Sequence, residues 1–586
     1  MLFPRLKELK TSRTMVDVFR GYNHNLRISD GEFFDMENMT SDYYPILSPR
    51  GKRGLYANTE NPQGLISKDG LCYVDGTDFV INEYRIPLEL STAAEDCPKQ
   101  LTSMGAYVII MPDKKYINTM DLNDYGKIEA SYTTSNDVSF TLCTISGDAY
   151  ENTTISDTAP LNPENLACWI DTSTVPHTLK RYSSTSAMWV GVATTYVKIY
   201  SPGLGKAFKQ YDGVTISGIT KEAAKGLNGT AALWGCGDDY IVIVGMIDMV
   251  VTQTAAEGSV TIERKMPNMD FIIESENRLW GCRYGTAVNG EVVNEIYASK
   301  LGDFRNWNCF MNVATDSYSA SCGTDGRFTG AITHLGYPLF FKENFVHKVY
   351  GNYPANFQIQ TTACRGVQRG SHNSLAIVNE MLFYKSRTGV CAYDGSLPTE
   401  ASYVLGGENY SDAVAGSHGN KYYISMKDTK DQWHLFVYDV AKGMWHREDN
   451  LHADDFCSCR GDLYVIDHDS KNILTLLGSG LRDPEDEVEW MVETGEIGIS
   501  SPDMKYISRL IVRMSLEVGT EIRFSAKYDF SNEWEDLFTM RSTNLRSFSI
   551  PIRPRRCDHM KVRITGKGGA KIYSITKIIE QGSDIS

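Results

Sequence analysis

The amino-acid sequence predicts an all-β protein whose body is a β-propeller. Between residues 329 and 477, four successive units repeat the same order of short apolar strands and turns that hold Gly, Asn or Asp. Short strands rich in β-branched and aromatic residues between such turns are typical of antiparallel meanders. The turn centres Gly336, Asn379, Gly419 and Gly461 lie 43, 40 and 42 residues apart. Because a sheet unit that recurs about every 40–50 residues is the repeat of a propeller, each unit is predicted to be one blade.

Further blades are predicted on the N-terminal side of this stretch. Two hairpins centred on Gly70 and Gly105 follow the same pattern, and the pattern resumes between Phe271 and Ser299. This predicts about seven blades, and six or eight stay open because the boundaries of strands are hard to place from sequence. The predicted propeller comprises residues 54–125 and 267–480.

Residues 126–266 interrupt the blade repeat. They are rich in Thr, Ser and Asn, they contain strand patterns such as 139–142 and 240–244, and they include one predicted helix at 221–227. The regular spacing of turns is lost here and returns afterwards. We therefore expect an inserted, mostly-β domain that leaves the propeller and re-enters it.

Two further segments flank the predicted propeller. In residues 481–586, apolar Ile522, Phe524, Ala526 and Tyr528 alternate strictly with polar residues. Such alternation indicates strands with one buried and one solvated face, so this segment is predicted to be a C-terminal β-sandwich. Residues 1–53 do not fit a blade and are predicted to form an extended N-terminal arm.

Size and composition indicate a globular protein made inside a cell. The chain has 586 residues, of which 42% are hydrophobic and 22% charged, so two to four domains are expected. It holds no run of 18 apolar residues and no apolar segment after the charged N-terminus, so neither a membrane span nor a signal peptide is predicted. The 13 cysteines are scattered, mostly within apolar strands. We predict free thiols in a reducing cytosol rather than disulfides.

The net charge of −15 is unevenly distributed. Residues 501–586 contain 15 Lys and Arg against 10 Asp and Glu, a balance of +5, so the first 500 residues carry −20. A nucleic-acid-binding protein that reads sequence needs a basic face. The acidic body argues against that class.

The sequence lacks the common motifs of enzymes. It contains no GxxxxGK[ST], HExxH or GxSxG, and no GxGxxG between a strand and a helix. One group of possible metal ligands occurs in the last predicted blade, but its two cysteines are spaced as CxC, whereas zinc sites usually use CxxC. We therefore predict no metal, no cofactor and no catalytic site. The group comprises His446, His452, Asp454, Asp455, Cys457, Cys459 and His468.

Two other features have both a functional and a structural interpretation. Residues 299–307 are similar to the Asp-box of sialidases, but Asp303 and Gly302 stand in the wrong order, and most carboxylates occupy turns. A carbohydrate-active enzyme is therefore a minor alternative. Arg553, Arg555 and Arg556 form a candidate cluster for contact with a partner; the structural alternative is a solvated strand end.

Several short segments resemble one family of virus proteins. They start with Ser29-Asp30-Gly31-Glu32 and lie in residues 29–51, 277–307, 393–396, 437–446 and 551–566. They are similar to the tail hub, nozzle and packaged-DNA stabilisation proteins of short-tailed bacteriophages, over most of the chain except residues 126–266. The resemblance brings no catalytic residues with it.

The resemblance implies a structural protein of the virion tail, assembled in the cytoplasm of the bacterial host. Its expected form is a ring, commonly a hexamer, around the channel that retains DNA and then passes it without reading its sequence. Adaptor proteins near the portal, other tail proteins and tail fibres are the implied neighbours. The sequence thus predicts a protein that is not an enzyme. The alternatives are a receptor- or glycan-binding protein of the tail tip, with the sandwich as its binding part, and, less favoured, a propeller glycoside hydrolase.

Overall fold

The protein consists almost entirely of β-strands. The computed structural model describes residues 11–92, 98–287, 290–478, 485–500, 504–529, 531–541, 546–552 and 555–581. Within these ranges the only helices are short 3-10 turns: Leu204–Ala207, Lys225–Leu227, Ala255–Glu257, Pro354–Asn356, His372–Ser374 and Tyr403–Leu405. None of the helices in the described ranges has the length and apolar character needed to cross a membrane.

The helix predicted at 221–227 is wrong: the described segment forms only the 3-10 turn Lys225–Leu227. A single turn fixes several backbone dihedrals for one hydrogen bond, and Gly226 raises that entropic cost further. The segment therefore stops at one turn between two strands.

Seven antiparallel four-stranded sheets form the blades of the propeller. The two blades before the insertion contain Pro62–Ser67, Leu71–Asp75, Asp78–Ile81 and Tyr84–Pro87 (blade 1), and Gln100–Met104, Tyr107–Met111, Lys115–Asn118 and Tyr125–Lys127 (blade 2). The next three contain Phe271–Ser275, Arg278–Thr286, Val292–Ala298 and Tyr318–Ser321 (blade 3), Gly330–His334, Tyr337–Lys342, Phe345–Tyr350 and Gln358–Ala363 (blade 4), and Ala376–Val378, Met381–Ser386, Gly389–Tyr393 and Thr399–Glu400 (blade 5). The last two contain Ser411–His418, Lys421–Lys427, Trp433–Asp439 and Met444–Arg447 (blade 6), and Ala453–Cys459, Asp462–Asp467, Asn472–Thr475 and Gly54–Asn58 (blade 7).

Tight turns join the strands within a blade. In blade 5, Asn379 and Glu380 both have positive φ, at 49° and 67°. Positive φ at both central residues defines a type I′ turn, whose twist matches that of the strands it joins. The same arrangement recurs at Glu276-Asn277 in blade 3. Local sequence therefore determines each blade.

The blades close into a ring. Strand Gly54–Asn58 pairs with Asn472–Thr475, so the start of the propeller segment supplies the last strand of blade 7. Blades 2 and 3 share a core although the insertion separates them in sequence, since Ile109 and Ile272 belong to one apolar cluster. Blades 7 and 1 share another such cluster. The predicted all-β propeller with about seven blades is confirmed.

The insertion forms two sheets around its own core. The larger sheet has eight strands, in the order Ala130–Thr133, Thr261–Arg264, Gly213–Ser217, Gly229–Gly237, Tyr240–Val244, Tyr196–Tyr200, Val138–Cys143 and Val251–Gln253. The smaller sheet has four, in the order Thr154–Ser156, Cys168–Asp171, Thr178–Ser183 and Met188–Gly191. Their buried side chains form one cluster, in which Phe140, Ile170 and Ile241 take part. The insertion is therefore a folded all-β unit.

The two ends of the described chain together build the β-sandwich. Its first sheet contains Thr11–Val16, Ala570–Gln581, Lys505–Leu516 and Arg546–Ile550, with Arg556–Cys557 paired to Lys505–Leu516. Its second sheet, called here the cleft sheet, has the order Gly21–Tyr22, Glu32–Glu37, Glu489–Thr494, Met560–Lys567, Glu521–Tyr528 and Glu535–Met540. A two-stranded ribbon, Met39–Thr40 with Ser48–Pro49, follows the N-terminal strands.

The prediction of an extended N-terminal arm is therefore wrong for residues 11–53. Strand Thr11–Val16 pairs along its whole length with Ala570–Gln581, and Glu32–Glu37 pairs with Glu489–Thr494. Phe19 and Tyr22 are buried. These strands need partners from the other end of the chain, so the local sequence alone does not reveal them.

The sandwich and blades 5 and 6 share a single hydrophobic core. It includes Tyr22 from the N-terminal segment, Phe436 and Trp445 from blade 6, and Phe524 from the sandwich. Close packing is visible at Gly21, where φ is +83° and an added Cβ would lie 2.2 Å from the carbonyl oxygen of Trp445. Propeller and sandwich are thus packed as one body.

Twelve of the thirteen cysteines lie in described residues, and all twelve have free thiols. Burial raises the pKa of Cys72 to about 12 and that of Cys143 to about 11. These thiols behave as small apolar groups of the core rather than as nucleophiles. Cys97 lies outside the described residues.

Candidate functional site

A cleft of about 780 Å³ lies over the outer face of the cleft sheet. The floor of the cleft is formed by strands Glu489–Thr494, Met560–Lys567 and Glu521–Tyr528. Glu37, Asn38 and Arg50 of the N-terminal segment and residues 485–488 form its walls. Pockets of this size are the first place to look for a bound ligand.

Strand alternation explains why the floor of the cleft is charged. In Glu489–Thr494, Trp490 and Val492 are buried in the sandwich core, and Glu489 and Met491 line the cleft together with part of Trp490. The indole Nε1 of Trp490 donates a hydrogen bond of 2.9 Å to the carbonyl of Gly568. An added Cβ at Gly566 would lie 2.3 Å from this indole, so a side chain there would displace it. The apolar face thus holds the charged face in place.

The strand register places side chains of opposite charge next to each other across the floor. Lys567 lies between Glu489 and Glu521 on the neighbouring strands. Its Nζ is 2.9 Å from Oε1 of Glu489. Two rows further along the same face, Nη2 of Arg563 is 2.8 Å from Oε2 of Glu493. The Lys567–Glu489 pair is exposed and contributes roughly 0–1 kcal/mol, so a ligand can displace it at little cost, whereas Glu493 is buried.

Arg50 anchors one wall of the cleft to blade 6. Its Nε donates a hydrogen bond of 2.7 Å to Oδ1 of Asn38, and its guanidinium pairs with Glu485. The same guanidinium lies 3.7 Å from Glu448 and 3.6 Å from Asp449. The wall therefore has a defined position before any ligand binds.

Glu37 is the carboxyl group of the cleft with a perturbed pKa. Burial raises its pKa, the carboxylates of Asp35, Asp449 and Glu489 raise it further, and Arg447 opposes them. A carboxyl group that keeps its proton more readily can donate a hydrogen bond to a ligand or act as a general acid. Glu37 and Glu489 both line the cleft.

The two described residues of the predicted arginine cluster, Arg555 and Arg556, do not line this cleft. Arg555 pairs with Glu535 at 2.8 Å, and its guanidinium carbon lies 4.7 Å from the centre of the Tyr528 ring. Arg556 is exposed on a short strand of the other sandwich sheet. Arg553 lies outside the described residues. A partner contact at this cluster stays a prediction.

The residues of the possible metal-ligand group lie in different parts of the structure. His446 is buried, and burial lowers its pKa to about 3; Cys459 belongs to the core between blades 7 and 1. His452, Asp454 and His468 come together instead, with their ligand atoms all within 4.8 Å of one another. The prediction grouped the cysteines with the histidines, but the pleat of the strand turns the thiols into the blade core. Only this trio, called here the blade 7 trio, has the geometry of a metal site within the described residues.

The segment similar to an Asp-box has a structural role. Oδ1 of Asp303 accepts a hydrogen bond of 3.0 Å from the backbone of Arg305, and its Oδ2 accepts one of 2.6 Å from Asn306. Trp307 is buried among residues of blades 2 and 3. Asp303 is therefore a turn-stabilising residue.

Comparison with known proteins yields similarity in solved structures alone. No protein-family profile and no curated protein matches the sequence. An exo-β-1,3-galactanase from Phanerochaete chrysosporium is similar at 9% identity, over 52% of this chain and 94% of that chain, with a TM-score of 0.21. An arabinoxylan arabinofuranohydrolase of glycoside hydrolase family 43 from Bacillus subtilis is similar at 7% identity, over 52% and 94%, with a TM-score of 0.15. A Trypanosoma rangeli sialidase is similar at 8% identity, over 97% and 96%, with a TM-score of 0.22.

The prediction that the protein is not an enzyme is contradicted, because these similar structures are glycosidases and a sialidase. At such identities and TM-scores, no residue role, substrate or activity is transferred to this chain. What the chain has in common with them is an all-β fold.

Sequence reasoning missed the residues of the cleft, although one signal was present. The stretch from Glu489 to Glu493 alternates acidic or long side chains with Trp490 and Val492. This pattern predicts a strand with one charged face. It does not predict that Glu37 and Arg50, more than 400 positions earlier, cover that face.

Proposed function

We propose that this chain is a glycan-binding propeller protein of a bacteriophage tail and that it binds an uncharged oligosaccharide in the cleft. The observation that carries the proposal is the cleft itself, which is preformed and lined by side chains of both charges. The tail location rests on the sequence resemblance alone. Binding of a host glycan would place the sandwich at the outer surface of the tail.

The lining of the cleft favours a neutral, hydroxyl-rich ligand. Carboxylate oxygens accept hydrogen bonds and guanidinium and ammonium groups donate them, so hydroxyl groups can bind to either kind. The lining includes six acidic side chains and four basic ones, and this balance repels polyanions such as nucleic acids. They are Glu37, Glu485, Asp486, Glu487, Glu489 and Glu521, with Arg50, Arg523, Arg563 and Lys567.

We expect the purified protein to bind to a glycan array. The variant Arg563→Ala should bind the selected oligosaccharide about tenfold or more weakly, because it loses a charge-assisted hydrogen bond of about 1.5–3 kcal/mol. The matched control is Arg555→Ala, which removes an ion-paired arginine of the same sandwich outside the cleft. Dissociation constants of the oligosaccharide selected on the array, measured by calorimetry, give the comparison. Absence of binding to every glycan, or equal losses in both variants, would contradict the proposal.

Hydrolysis of a glycosidic bond requires two carboxyl groups, and Glu37 and Glu489 are two carboxyl groups that line the cleft. A glycosidase uses one carboxylic acid with a raised pKa and one carboxylate. Glu37 fits the acid, because burial raises its pKa. Release of reducing sugar from the bound oligosaccharide by the wild-type protein and its loss in Glu37→Gln would extend the proposal from binding to cleavage.

A second candidate function is that of a ring subunit around the tail channel, as the resemblance implies. The observation that favours it is a group of exposed apolar side chains on and near the smaller sheet of the insertion; Leu161 and Val175 are 92% and 95% exposed. Contiguous exposed apolar surface marks sites of protein–protein contact. We propose that this surface binds a neighbouring copy of the chain, with DNA passing through the ring and other tail proteins above and below. The group comprises Ile155, Leu161, Leu166, Val175, Met188 and Val190.

Solution mass tests the ring. We expect light scattering to show that the wild-type protein is an oligomer. The double variant Leu161→Asp and Val175→Asp should be a monomer, because its oligomer would bury two charges at the contact. Ser186→Asp, an exposed polar position beside the same sheet, is the control and should leave the oligomer intact. A wild-type protein that stays monomeric at high concentration would rule out the ring while leaving glycan binding untouched.

A further inference from the structure

The blade 7 trio lies at one rim of the propeller, where two neighbouring loops meet. His452 immediately precedes strand Ala453–Cys459, and His468 immediately follows strand Asp462–Asp467. These strands are hydrogen-bonded partners, with Ala453 opposite Asp467. The backbone N–H of His468 donates a 2.9 Å hydrogen bond to the carbonyl of His452. The pairing therefore holds the two histidines side by side.

Asp454 completes the trio because of a local irregularity in the strand. The register shifts between Ala453 and Asp455, which makes Asp454 the additional residue of a bulge. Bulges change the direction of a side chain and are frequent beside functional sites. Here the side chain of Asp454 reaches His468, whose Nδ1 is 2.8 Å from Oδ1 of Asp454.

The two imidazoles and the indole of Trp433 form an aromatic stack. The rings of His452 and His468 are stacked with centroids 4.0 Å apart. Trp433 of blade 6 covers the other face of His452 at 3.8 Å, with an interplanar angle of 13°. A fourth ligand atom is within reach, since Oδ1 of Asp469 lies 4.0 Å from Nδ1 of His452. The four side chains are all at least partly exposed, so an ion can reach them from solvent.

We propose that His452, Asp454 and His468 bind a divalent transition-metal ion, with Zn²⁺ as the expected one and Asp469 as an additional ligand. Two imidazoles with one or two carboxylates are a common ligand set for zinc. Ligand atoms around a tetrahedral zinc ion are about 3.4 Å apart for bonds of about 2.1 Å. The ligand atoms of the trio already lie within 4.8 Å of one another, and the two imidazoles must rotate out of their stack for both to point a ring nitrogen at one ion.

The bound ion would reinforce the closure of the propeller. It would join the loop that enters blade 7 to the turn inside that blade, next to Trp433 of blade 6. Blade 7 is the blade completed by a strand from the start of the propeller segment. An ion that binds the folded form alone stabilises that form by mass action.

Calorimetric titration of metal-stripped full-length protein with ZnCl₂ tests the site. We expect one Zn²⁺ per chain and an increased temperature of unfolding. The variant His468→Ala should bind Zn²⁺ at least about a hundredfold more weakly, because even residues that hydrogen-bond to a metal ligand contribute 10–100-fold to metal affinity. His177→Ala is the matched control, because Nδ1 of His177 also contacts an aspartate, Asp248, at 2.8 Å but has no second histidine. Asp454→Asn, which preserves shape, provides a second variant and should also weaken binding.

Cobalt substitution distinguishes this site from the nearby thiols. Co²⁺ bound to the trio should show visible d–d bands without the thiolate charge-transfer band that binding by Cys457 or Cys459 would produce. No Zn²⁺ binding by the folded wild-type protein, a thiolate band, or equal affinity in His468→Ala would each overturn the proposal. In those cases the trio is a hydrogen-bonded stack that packs the rim.

Discussion

Replacing Arg53 by alanine should lower the free energy of unfolding by about 3 kcal/mol, because breaking a buried ion pair leaves an uncompensated charge. Arg53 is 6% exposed, and its guanidinium lies 2.8 Å from Oε2 of the buried Glu448 and 2.6 Å from Oδ2 of Asp449. Arg50 lies 3.7 and 3.6 Å from the same two carboxylates. Arg50 therefore retains part of the attraction, which keeps the effect at the lower end of the usual 3–5 kcal/mol.

Urea denaturation of wild type, Arg53→Ala and Lys52→Ala measures this effect. Lys52 is the neighbouring residue and pairs with Glu487 at 2.7 Å, but both side chains are exposed. Such a pair contributes less than about 1 kcal/mol, so Lys52→Ala should unfold close to the wild-type midpoint. Equal midpoints for the two variants would show that the Arg53 pair contributes no more than the exposed one.

The Arg53 pair also makes stability depend on acid pH. Burial alone would raise the pKa of Asp449, but Arg53 and Arg50 outweigh it and the pKa is lowered below the ordinary 3.8. A carboxyl group with a lowered pKa stabilises the folded state above its unfolded pKa and loses that contribution as the pH falls through the folded value. Wild type and Arg53→Ala should therefore approach each other in stability below about pH 4.

Removal of residues 1–28 should unfold the sandwich and loosen blades 5 and 6, which share its core, and leave the other blades largely protease-resistant. The deletion removes strand Thr11–Val16 and the buried aromatic residues Phe19 and Tyr22, which are 3% and 5% exposed. Loss of each buried aromatic side chain costs about 3–5 kcal/mol, and the strand Ala570–Gln581 loses its hydrogen-bonded partner. A free arm could be removed without loss of stability, but this segment contributes strands to both sheets of the sandwich.

Limited proteolysis with mass spectrometry identifies the part of the chain that loses protection. Early cleavage sites should fall within residues 485–581 and in blades 5 and 6, with those of the other blades appearing later. The point variants Phe19→Ala and Met15→Ala separate packing from chain length, since Met15 is exposed and should be replaceable without effect. A truncated protein digested at the wild-type rate throughout would contradict the predicted role of the N-terminal strands.

The propeller could be predicted from sequence because each blade is a local meander. Turns such as Asn379-Glu380 join strands that are adjacent in the chain, so the sequence pattern and the fold have the same period. The sandwich was predicted only in its C-terminal half, where residues 521–528 alternate strictly. The N-terminal strands of the sandwich could not be predicted, because their pairing partners lie at the other end of the chain.

The candidate sites also show that a sequence pattern predicts only what is local in the chain. The cleft combines residues near 37–50, 485–491, 521–523 and 563–567, which no local pattern connects. The blade 7 trio is different, since its histidines flank one hairpin. Pairing of Ala453 with Asp467 places His452 next to His468, and this register was implicit in the turn at Gly461. Grouping residues by hairpin register instead of by spacing along the chain would have separated the histidines from the cysteines.

The order of synthesis has a consequence for how the molecule reaches its native state. Strand Gly54–Asn58 leaves the ribosome early, yet it pairs with Asn472–Thr475, and nearby Thr59 bonds to Lys471, 412 positions later. At about 5–20 residues per second, this strand waits roughly 20–80 s for its partner. Throughout that time the nascent chain presents unpaired strand edges, which are templates for pairing with other chains. Crowded polysomes therefore favour exchange of this strand between nascent chains, and slow induction, which lowers the number of chains made at once, should increase the yield of correctly closed monomers.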